Sequence, residues 1–252
     1  MLSEMTKKDL DELLSRFFYE GAGPHNSLFR GKYLGDKVTD EQYAAIQDGT
    51  FTDLFIGDYW TINGMNYRIA AFDYYYTNGD IACMTHHAVM VPEIKLYKAQ
   101  MNETDTTEGG YVGSKMYREN LNQAKEMIAA AFGAEHILSH RQYFSDAAAN
   151  GKPSSAGWYD SSVDLMNEQN VYGGKVFGVA CDGGEVPALY TIDKSQFPLF
   201  TLCPNLINNR QTFWLRDVVS SEAFARVGGN GRASCYGATQ ERGVRPAFCL
   251  KG

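Results

Sequence analysis

The sequence predicts an α+β protein in which a few short helices flank a twisted antiparallel sheet and much of the chain is loop. Three observations lead to this fold class. Apolar residues repeat with helical spacing over residues 114–132. An Asn63-Gly64 pair separates two strand-like runs, as a hairpin turn does. Short strands with glycine-rich turns are predicted between residues 171 and 192.

The first predicted element is an amphipathic helix over residues 3–19. One apolar stripe with helical spacing defines it. Its members are Leu10, Leu13, Leu14, Phe17 and Phe18. The stripe packs either on its own domain or on a partner chain. Residues 1–38 are therefore predicted to be a helix and a linker, which would serve as an assembly element if the stripe packs on a partner chain. Residues 39–252 are predicted to form the main domain.

The next predicted elements are a short helix over residues 40–48 and two strands around the Asn63-Gly64 turn. On the second strand Tyr67, Ile69 and Ala71 alternate with their neighbours as a sheet requires. A further strand is predicted over residues 87–91.

The clearest helix is predicted over residues 114–132, with Ser114 as its N-cap and Gly133 as its stop. Its apolar face consists of Met116, Tyr117, Leu121, Ala124, Ile128 and Ala131. A second helix is predicted over residues 161–169, where Asp160-Ser161 resembles a cap. Residues 193–212 are predicted to be irregular loop, and residues 244–250 to be the last strand.

The charge and apolar patterns exclude several functions. The net charge is -7 and there is no basic patch, which argues against nucleic acid as a partner. No apolar run approaches the ~20 residues that cross a bilayer. The first residues lack the apolar region of a signal peptide, so we expect synthesis in the cytoplasm without export by that route.

The sequence assigns no metal, cofactor or catalytic residue. The five cysteines form no CxxC pair. His86 and His87 would point to opposite faces of a strand. His136 and His140 follow a helix stop and lack the glutamate of the HExxH pattern. Cys235 has no histidine near it in the sequence, and the cluster Gly228, Gly229 and Gly231 lacks the GK[ST] of a phosphate loop.

The C-terminal part of the chain consists of two apolar, strand-like segments separated by a small and polar segment. Residues 213–216 and 244–248 are apolar with one arginine each, Arg216 and Arg245. Residues 226–242 are small and polar with isolated large groups. Such a segment buries little apolar area, so it should lie on the surface between the two ends. We expect Arg216 and Arg245 to pair with buried carboxylates or carbonyls. An ordinary surface loop is the alternative.

The C-terminal part of the chain contains motifs that resemble those of a known family. The motifs are FWLRD, FARV, GNGRA and GVRPAFCLKG. They resemble the C-terminal variable region of proteins that diversity-generating retroelements target, and the WLRS…GVRPA domain of gut Firmicutes and their phages. Upstream blocks resemble the same group: IGDYWTI, YRIAAFDYYYTNGD, HHAVMVP, GGYVGSKMY, AFGAEHILSH and NRQTFWLRDV. The resemblance covers about residues 40–252 and implies a C-type-lectin-like fold, which formylglycine-generating enzymes share.

The resemblance also implies which residues bind ligand, within a variable region of about residues 214–245. The constant scaffold would be Trp214, Leu215, Arg216, Gly243, Val244, Arg245 and Pro246. The hypervariable, ligand-contacting positions would be Arg226, Gly229, Asn230, Arg232, Ser234, Tyr236, Gly237, Thr239, Glu241 and Arg242. The Glu-Pro-Asn motif of calcium-dependent sugar-binding lectins is not found. The paired catalytic cysteines of the related enzymes are not carried over to Cys235 and Cys249.

The function that follows from the resemblance is ligand binding and not catalysis. We expect a phage or prophage virion protein of the tail or a decoration, made in the bacterial cytoplasm. Its partners would be a bacterial surface protein or glycan and other virion proteins, with homo-oligomerisation through residues 3–19. One alternative is an enzyme on the same fold, an oxidase or hydrolase with a pocket around His86, His136, His140 or Cys235. Another is a structural virion protein with an inert loop.

Overall fold

A computed structural model describes Thr6, residues 21–179, Val186, Pro187, Tyr190, Thr191, Asp193 and residues 195–252. The helix predicted over residues 3–19 lies outside these residues, apart from Thr6. The described residues form a mixed α+β structure with many strands and few helices, which confirms the predicted class.

The strands of the described residues are, in chain order, β1 (Tyr33–Gly35), β2 (Tyr59–Ile62), β3 (Met65–Phe72), β4 (Ala88–Pro92), β5 (Tyr97–Ala99), β6 (His140–Ala149), β7 (Lys152–Ser161), β8 (Val163–Leu165), β9 (Phe213–Val218), β10 (Ala223–Val227), β11 (Ala233–Gly237), β12 (Arg242–Val244) and β13 (Pro246–Leu250). The helices are α1 (Ala22–Asn26), α2 (Asp40–Gln47), α3 (Leu121–Phe132), α4 (Glu168–Tyr172) and α5 (Pro198–Leu202). A π-helical turn (Met116–Asn120) precedes α3, and 3-10 turns cover Ala134–His136 and Pro204–Leu206.

These strands form three sheets where a single sheet was expected. A six-stranded sheet has the order β1-β2-β3-β4-β13-β8, and a five-stranded sheet has the order β11-β10-β9-β12-β5. A long hairpin of β6 and β7 forms the third. Most pairs are antiparallel, as predicted, but β1 with β2 and β12 with β9 are parallel.

The local signals in the first half of the chain are confirmed. Asn63 and Gly64 have φ of 51° and 78° between β2 and β3, as a two-residue hairpin turn requires. Thr39 caps α2 through a capping box with Gln42. Pro92 ends β4, but His86 and His87 precede that strand and do not belong to it.

The helix predicted over residues 114–132 is also confirmed, with a π-helical start. Helix α3 buries Leu121, Ala124, Ile128 and Phe132 at the spacing of one face. The ring of Phe132 lies 5.1 Å from that of Tyr67 on β3 and 5.3 Å from that of Phe248 on β13. These contacts place α3 on the six-stranded sheet.

The helix predicted over residues 161–169 is wrong. Residues up to Ser161 pair with β6 along the whole of β7. The hydroxyl of Ser161 donates to the buried carboxylate of Asp164 at 2.5 Å and does not cap a helix. The cap lies further on, because Asn167 accepts a hydrogen bond of 2.7 Å from the amide of Asn170 and begins α4.

Three further expectations need correction. The described part of residues 171–192 has no strand, and residues 193–212 contain α5, which begins at Pro198 after Phe197. Residues 226–242 are not one loop, since they contain β11 and parts of β10 and β12. The last strand is divided at Arg245, because β12 belongs to one sheet and β13 to the other. None of the described helices is both long and apolar enough to span a membrane.

Candidate ligand-binding face

The C-terminal strands bring several predicted positions onto one surface. Strands β10 and β11 pair so that Arg226 lies opposite Ser234, and Phe224 lies opposite Tyr236. Arg226 and Tyr236 are therefore diagonal neighbours across the two strands. Arg242 begins β12, which is separated from β11 by β10 and β9. We call Arg226, Ser234, Tyr236 and Arg242 the candidate face.

Two arginines contact the ring of Tyr236. The guanidinium carbon of Arg226 lies 5.0 Å from the ring centre, and that of Arg242 lies 4.5 Å from it. Both distances are typical of cation–π contacts. The Arg242 and Tyr236 side chains thus meet across the strands that separate them, while Tyr236 remains 43% exposed. The face is a preformed arrangement of an aromatic ring and two cations.

The arginines of this region have no acidic partner within the described part of the chain. Among the described residues, Arg226, Arg232 and Arg242 take part in no salt bridge. Arg226 Nε donates to the Cys235 carbonyl at 3.4 Å, and one Arg242 Nη donates to the Glu241 carbonyl at 2.7 Å. Arg242 Nε is buried without a hydrogen-bond partner. Burial, and then repulsion from Arg242, lowers the pKa of Arg226.

The turn between β10 and β11 carries three more predicted positions. Its backbone is closed by a hydrogen bond of 2.8 Å from the Gly228 amide to the Arg232 carbonyl. Asn230 and Arg232 are exposed at this turn. The hydroxyl of Tyr172 on α4 donates to the Gly231 carbonyl at 3.0 Å, which fixes the turn to the body of the protein.

The remaining predicted positions follow β11. The Thr239 amide donates to the Asp105 carboxylate at 2.8 Å, and this hydrogen bond lowers the pKa of Asp105. Gly237 lies against the same carboxylate. Glu241 is exposed and lines an open groove of about 440 Å³ beside β5 and the turn that precedes α3. Glu241 and Asp105 are thus the acidic residues next to the candidate face.

Each of the predicted scaffold residues is buried. Trp214 Nε1 donates to the Ala99 carbonyl at 2.9 Å. Arg216 donates to the Leu165 carbonyl at 2.7 Å and pairs with Asp193. Arg245 donates to the Pro92 carbonyl at 2.8 Å and to the Leu206 carbonyl at 3.1 Å. The expectation that both arginines pair with buried carboxylates or carbonyls is confirmed.

The candidate catalytic and metal-binding residues are spread over different elements. His86 Nδ1 lies 2.7 Å from Asp73 Oδ2, and His136 stacks on Tyr43 with ring centres 3.7 Å apart. His140 is buried on β6, and burial lowers its pKa to about 3. No group of three His, Cys, Asp or Glu side chains within the described ranges is arranged to hold a metal ion.

Several contacts in this region were not expected from the sequence. Asp105 is 134 residues from its partner Thr239, and Tyr172 is 59 residues from Gly231. No local pattern marks either residue, because each pairing depends on where distant segments meet. Asp193 lies in a stretch that the sequence predicted to be irregular, and its carboxylate nevertheless pairs with Arg216 in the interior.

Comparisons with known proteins found no matching family model, no matching curated protein and no matching solved structure.

Proposed function

We propose that this protein binds a ligand with a variable surface displayed on a C-type-lectin-like fold, as a variable protein of a diversity-generating retroelement does. The surface consists of the candidate face, the turn at residues 228–232 and the positions from Gly237 to Glu241. The ligand is a bacterial surface molecule, and the protein acts as a phage or prophage virion protein of the tail or a decoration. The resemblance of the sequence motifs supports this family, and the different burial of the two classes of residue supports their different roles.

One observation carries the proposal. All the positions that the resemblance marks as variable are exposed or partly exposed, from Arg226 to Arg242. All the positions that it marks as constant, Trp214 to Arg216 and Gly243 to Pro246, are buried. Substitution at exposed positions away from caps and networks changes stability little, whereas buried positions tolerate few changes. This separation is what a protein needs if its binding surface is to vary while its fold is kept.

The chemistry of the surface also suits binding. Tyrosine supplies contact area at low conformational-entropy cost, and tyrosine and arginine are enriched among residues that dominate binding energy. Tyr236, Arg226 and Arg242 meet on strands whose backbone is fixed by sheet pairing. Oligomerisation through residues 3–19 is part of the same proposal, because several copies of a weak site bind a surface with high avidity.

Two matched libraries test this function. In one, the predicted variable positions are randomised together. In the other, the same number of buried positions is randomised, including Trp214, Arg216 and Val244. We expect most members of the first library to fold, as measured by protease resistance of displayed protein, and most members of the second to be cleaved.

Binding is measured with the same libraries. Selection of the first library on intact Firmicutes cells should enrich members that differ at the variable positions and bind different strains. The proposal is wrong if randomising the exposed positions destroys protease resistance as often as randomising the buried ones. It is also wrong if the selected members bind no strain better than the unselected pool does.

A further inference from the structure

The candidate face and the turn beside it are positively charged in a chain that is negative as a whole. The net charge of the chain is -7, yet Arg242 and Arg232 lie near enough to Arg226 to repel its charge, and none of the three forms an ion pair with another described residue. Like charges close together are unfavourable unless a counter-charge binds between them. Among the described residues no acidic side chain forms an ion pair with these arginines, although Glu241 and Asp105 lie near the variable positions, so a ligand can supply the counter-charge.

The geometry of the arginines favours carboxylates. A guanidinium group presents N–H donors in a planar fork that matches the two oxygens of a carboxylate. Contact with the Tyr236 ring holds the Arg226 and Arg242 side chains in place before any ligand arrives.

The edge of the sheet adds a second feature. Strand β11 ends the five-stranded sheet, and no other strand of the described residues pairs with its outer side. An unpaired strand edge binds an extended peptide through backbone hydrogen bonds, with side chains adding specificity. Ser234 and Tyr236 are alternate residues of β11, so they share one side of the sheet. Side chains of a peptide paired to β11 would lie beside them.

We infer that the ligand of this surface is an acidic polypeptide segment, which pairs as an extended strand with β11 and places carboxylates against Arg226, Arg232 and Arg242. The inference rests on the proposed function and names the class of ligand. Asp105 lies at the Gly237 end of β11, and Arg232 precedes the other end. The carboxylates of the peptide therefore lie beside the three arginines, and Asp105 disfavours an acidic group directly beside Gly237.

The test uses the full chain and a labelled peptide in which glutamate alternates with threonine. A matched peptide has glutamine in place of glutamate, and polygalacturonate supplies carboxylates without an amide backbone. Binding is followed by fluorescence anisotropy over a range of salt concentrations. We expect the glutamate peptide to bind and the glutamine peptide to bind at least on the order of tenfold more weakly. We also expect amide hydrogen exchange to slow within residues 233–237.

Variants connect the binding to the named residues. Each of the single variants Arg226→Gln, Arg232→Gln and Arg242→Gln should weaken binding of the glutamate peptide by on the order of tenfold, and the triple variant should weaken it further. A control variant, Lys37→Gln/Lys125→Gln/Lys251→Gln, removes the same charge from other parts of the chain and should bind like the wild type. Asp105→Asn keeps an acceptor for the Thr239 amide and should bind the peptide more tightly.

Each other outcome contradicts the inference. Equal binding of the two peptides, or no binding of either, removes the role of carboxylates. Polygalacturonate binding as tightly as the peptide, without slower exchange in β11, identifies an acidic glycan instead. If the triple variant misfolds, the single variants still test whether the arginines bind the peptide. The proposed function fails separately, through loss of protease resistance in the exposed-position library, so the two failures are distinguishable.

Discussion

Gly243 lies against the carbonyl oxygen of Thr212. Its amide donates a hydrogen bond of 3.0 Å to that oxygen. A Cβ atom at residue 243 would lie 2.6 Å from the same oxygen, which belongs to the backbone and has no freedom to rotate away. At Gly229, by contrast, the nearest atom to an added Cβ is the Arg210 carbonyl oxygen at 3.6 Å, an ordinary contact.

The two glycines should therefore respond differently to the same substitution. Gly243→Ala should lower the free energy of unfolding by about 1–3 kcal/mol, the usual cost of overpacking. Gly229→Ala should change it by less than about 0.5 kcal/mol, because the site is open. Urea denaturation of both variants measures the difference. Equal effects at the two positions would contradict the distinction between scaffold and variable residues.

Arg216 should be necessary for the interior of the fold. It is buried and pairs with the buried carboxylate of Asp193. Arg216→Met leaves that carboxylate without its cation, and we expect a loss of roughly 3–5 kcal/mol in the free energy of unfolding. Asp193→Asn in the same chain removes the isolated charge and should recover part of the loss. A double variant no more stable than Arg216→Met would show that the ion pair is not the cause.

His140 should make the protein sensitive to mild acid. Burial, with repulsion from His87, lowers its pKa to about 3 in the folded state, against an opposing effect of the Asp193 carboxylate. In the unfolded chain a histidine takes up its proton near pH 6.5. Between these two values the unfolded state binds more protons, so the free energy of unfolding falls as the pH falls from about 6.5 toward 3.

The size of this effect follows from the same values. Between pH 7 and pH 5, the titration of His140 lowers the free energy of unfolding by about 2 kcal/mol. Urea denaturation of the wild type and of His140→Gln at both pH values measures this contribution. The carboxylates titrate alike in the two proteins, so their effect cancels in the comparison. We expect a smaller difference between the two pH values in the variant. The same difference in both proteins would exclude His140 as the group responsible.

Tyr236 and Phe224 lie opposite each other on β11 and β10, and they offer a matched pair of substitutions. Phe224 is fully buried, so Phe224→Ala should cost about 3–5 kcal/mol of unfolding free energy. Tyr236 is 43% exposed, so Tyr236→Ala should cost about 1 kcal/mol or less, mainly through lost contact with the two arginines. Thermal or urea unfolding compares the two, and similar losses would argue that Tyr236 is a structural residue.

The sequence predicted those parts of the fold that are determined by residues close together in the chain. Asn63-Gly64 makes a turn by its own conformational preference, and the apolar spacing around Leu121 and Ile128 defines one helix face without reference to the rest of the chain. The β6–β7 hairpin was missed because several of the residues that β6 buries are polar, among them His140 and Gln142, so the sequence shows no apolar alternation there. Asp160-Ser161 resembled a helix cap only while the pairing of Ser161 with His140 was unknown.

The candidate site, too, was predicted only as far as it depends on residues close together in the sequence. The sequence marked which positions should be exposed, and the structure has each of them exposed or partly exposed. It did not predict that Arg226 and Arg242 converge on Tyr236, since that contact depends on the order of four strands in the sheet. The absence of acidic partners for these arginines likewise becomes visible only when the whole described surface is considered.

The division of the last strand at Arg245 has a consequence for how the protein is made. Strand β12 lies between β9 and β5 in one sheet, and β13 lies between β4 and β8 in the other. Neither sheet is continuous until residues 242–250 have emerged from the ribosome, so the final stretch closes both at once. Until then earlier strands expose unpaired edges, which are prone to aggregation. We expect removal of residues 242–250 to leave both sheets incomplete, so that the shortened chain loses the protease resistance of the full one.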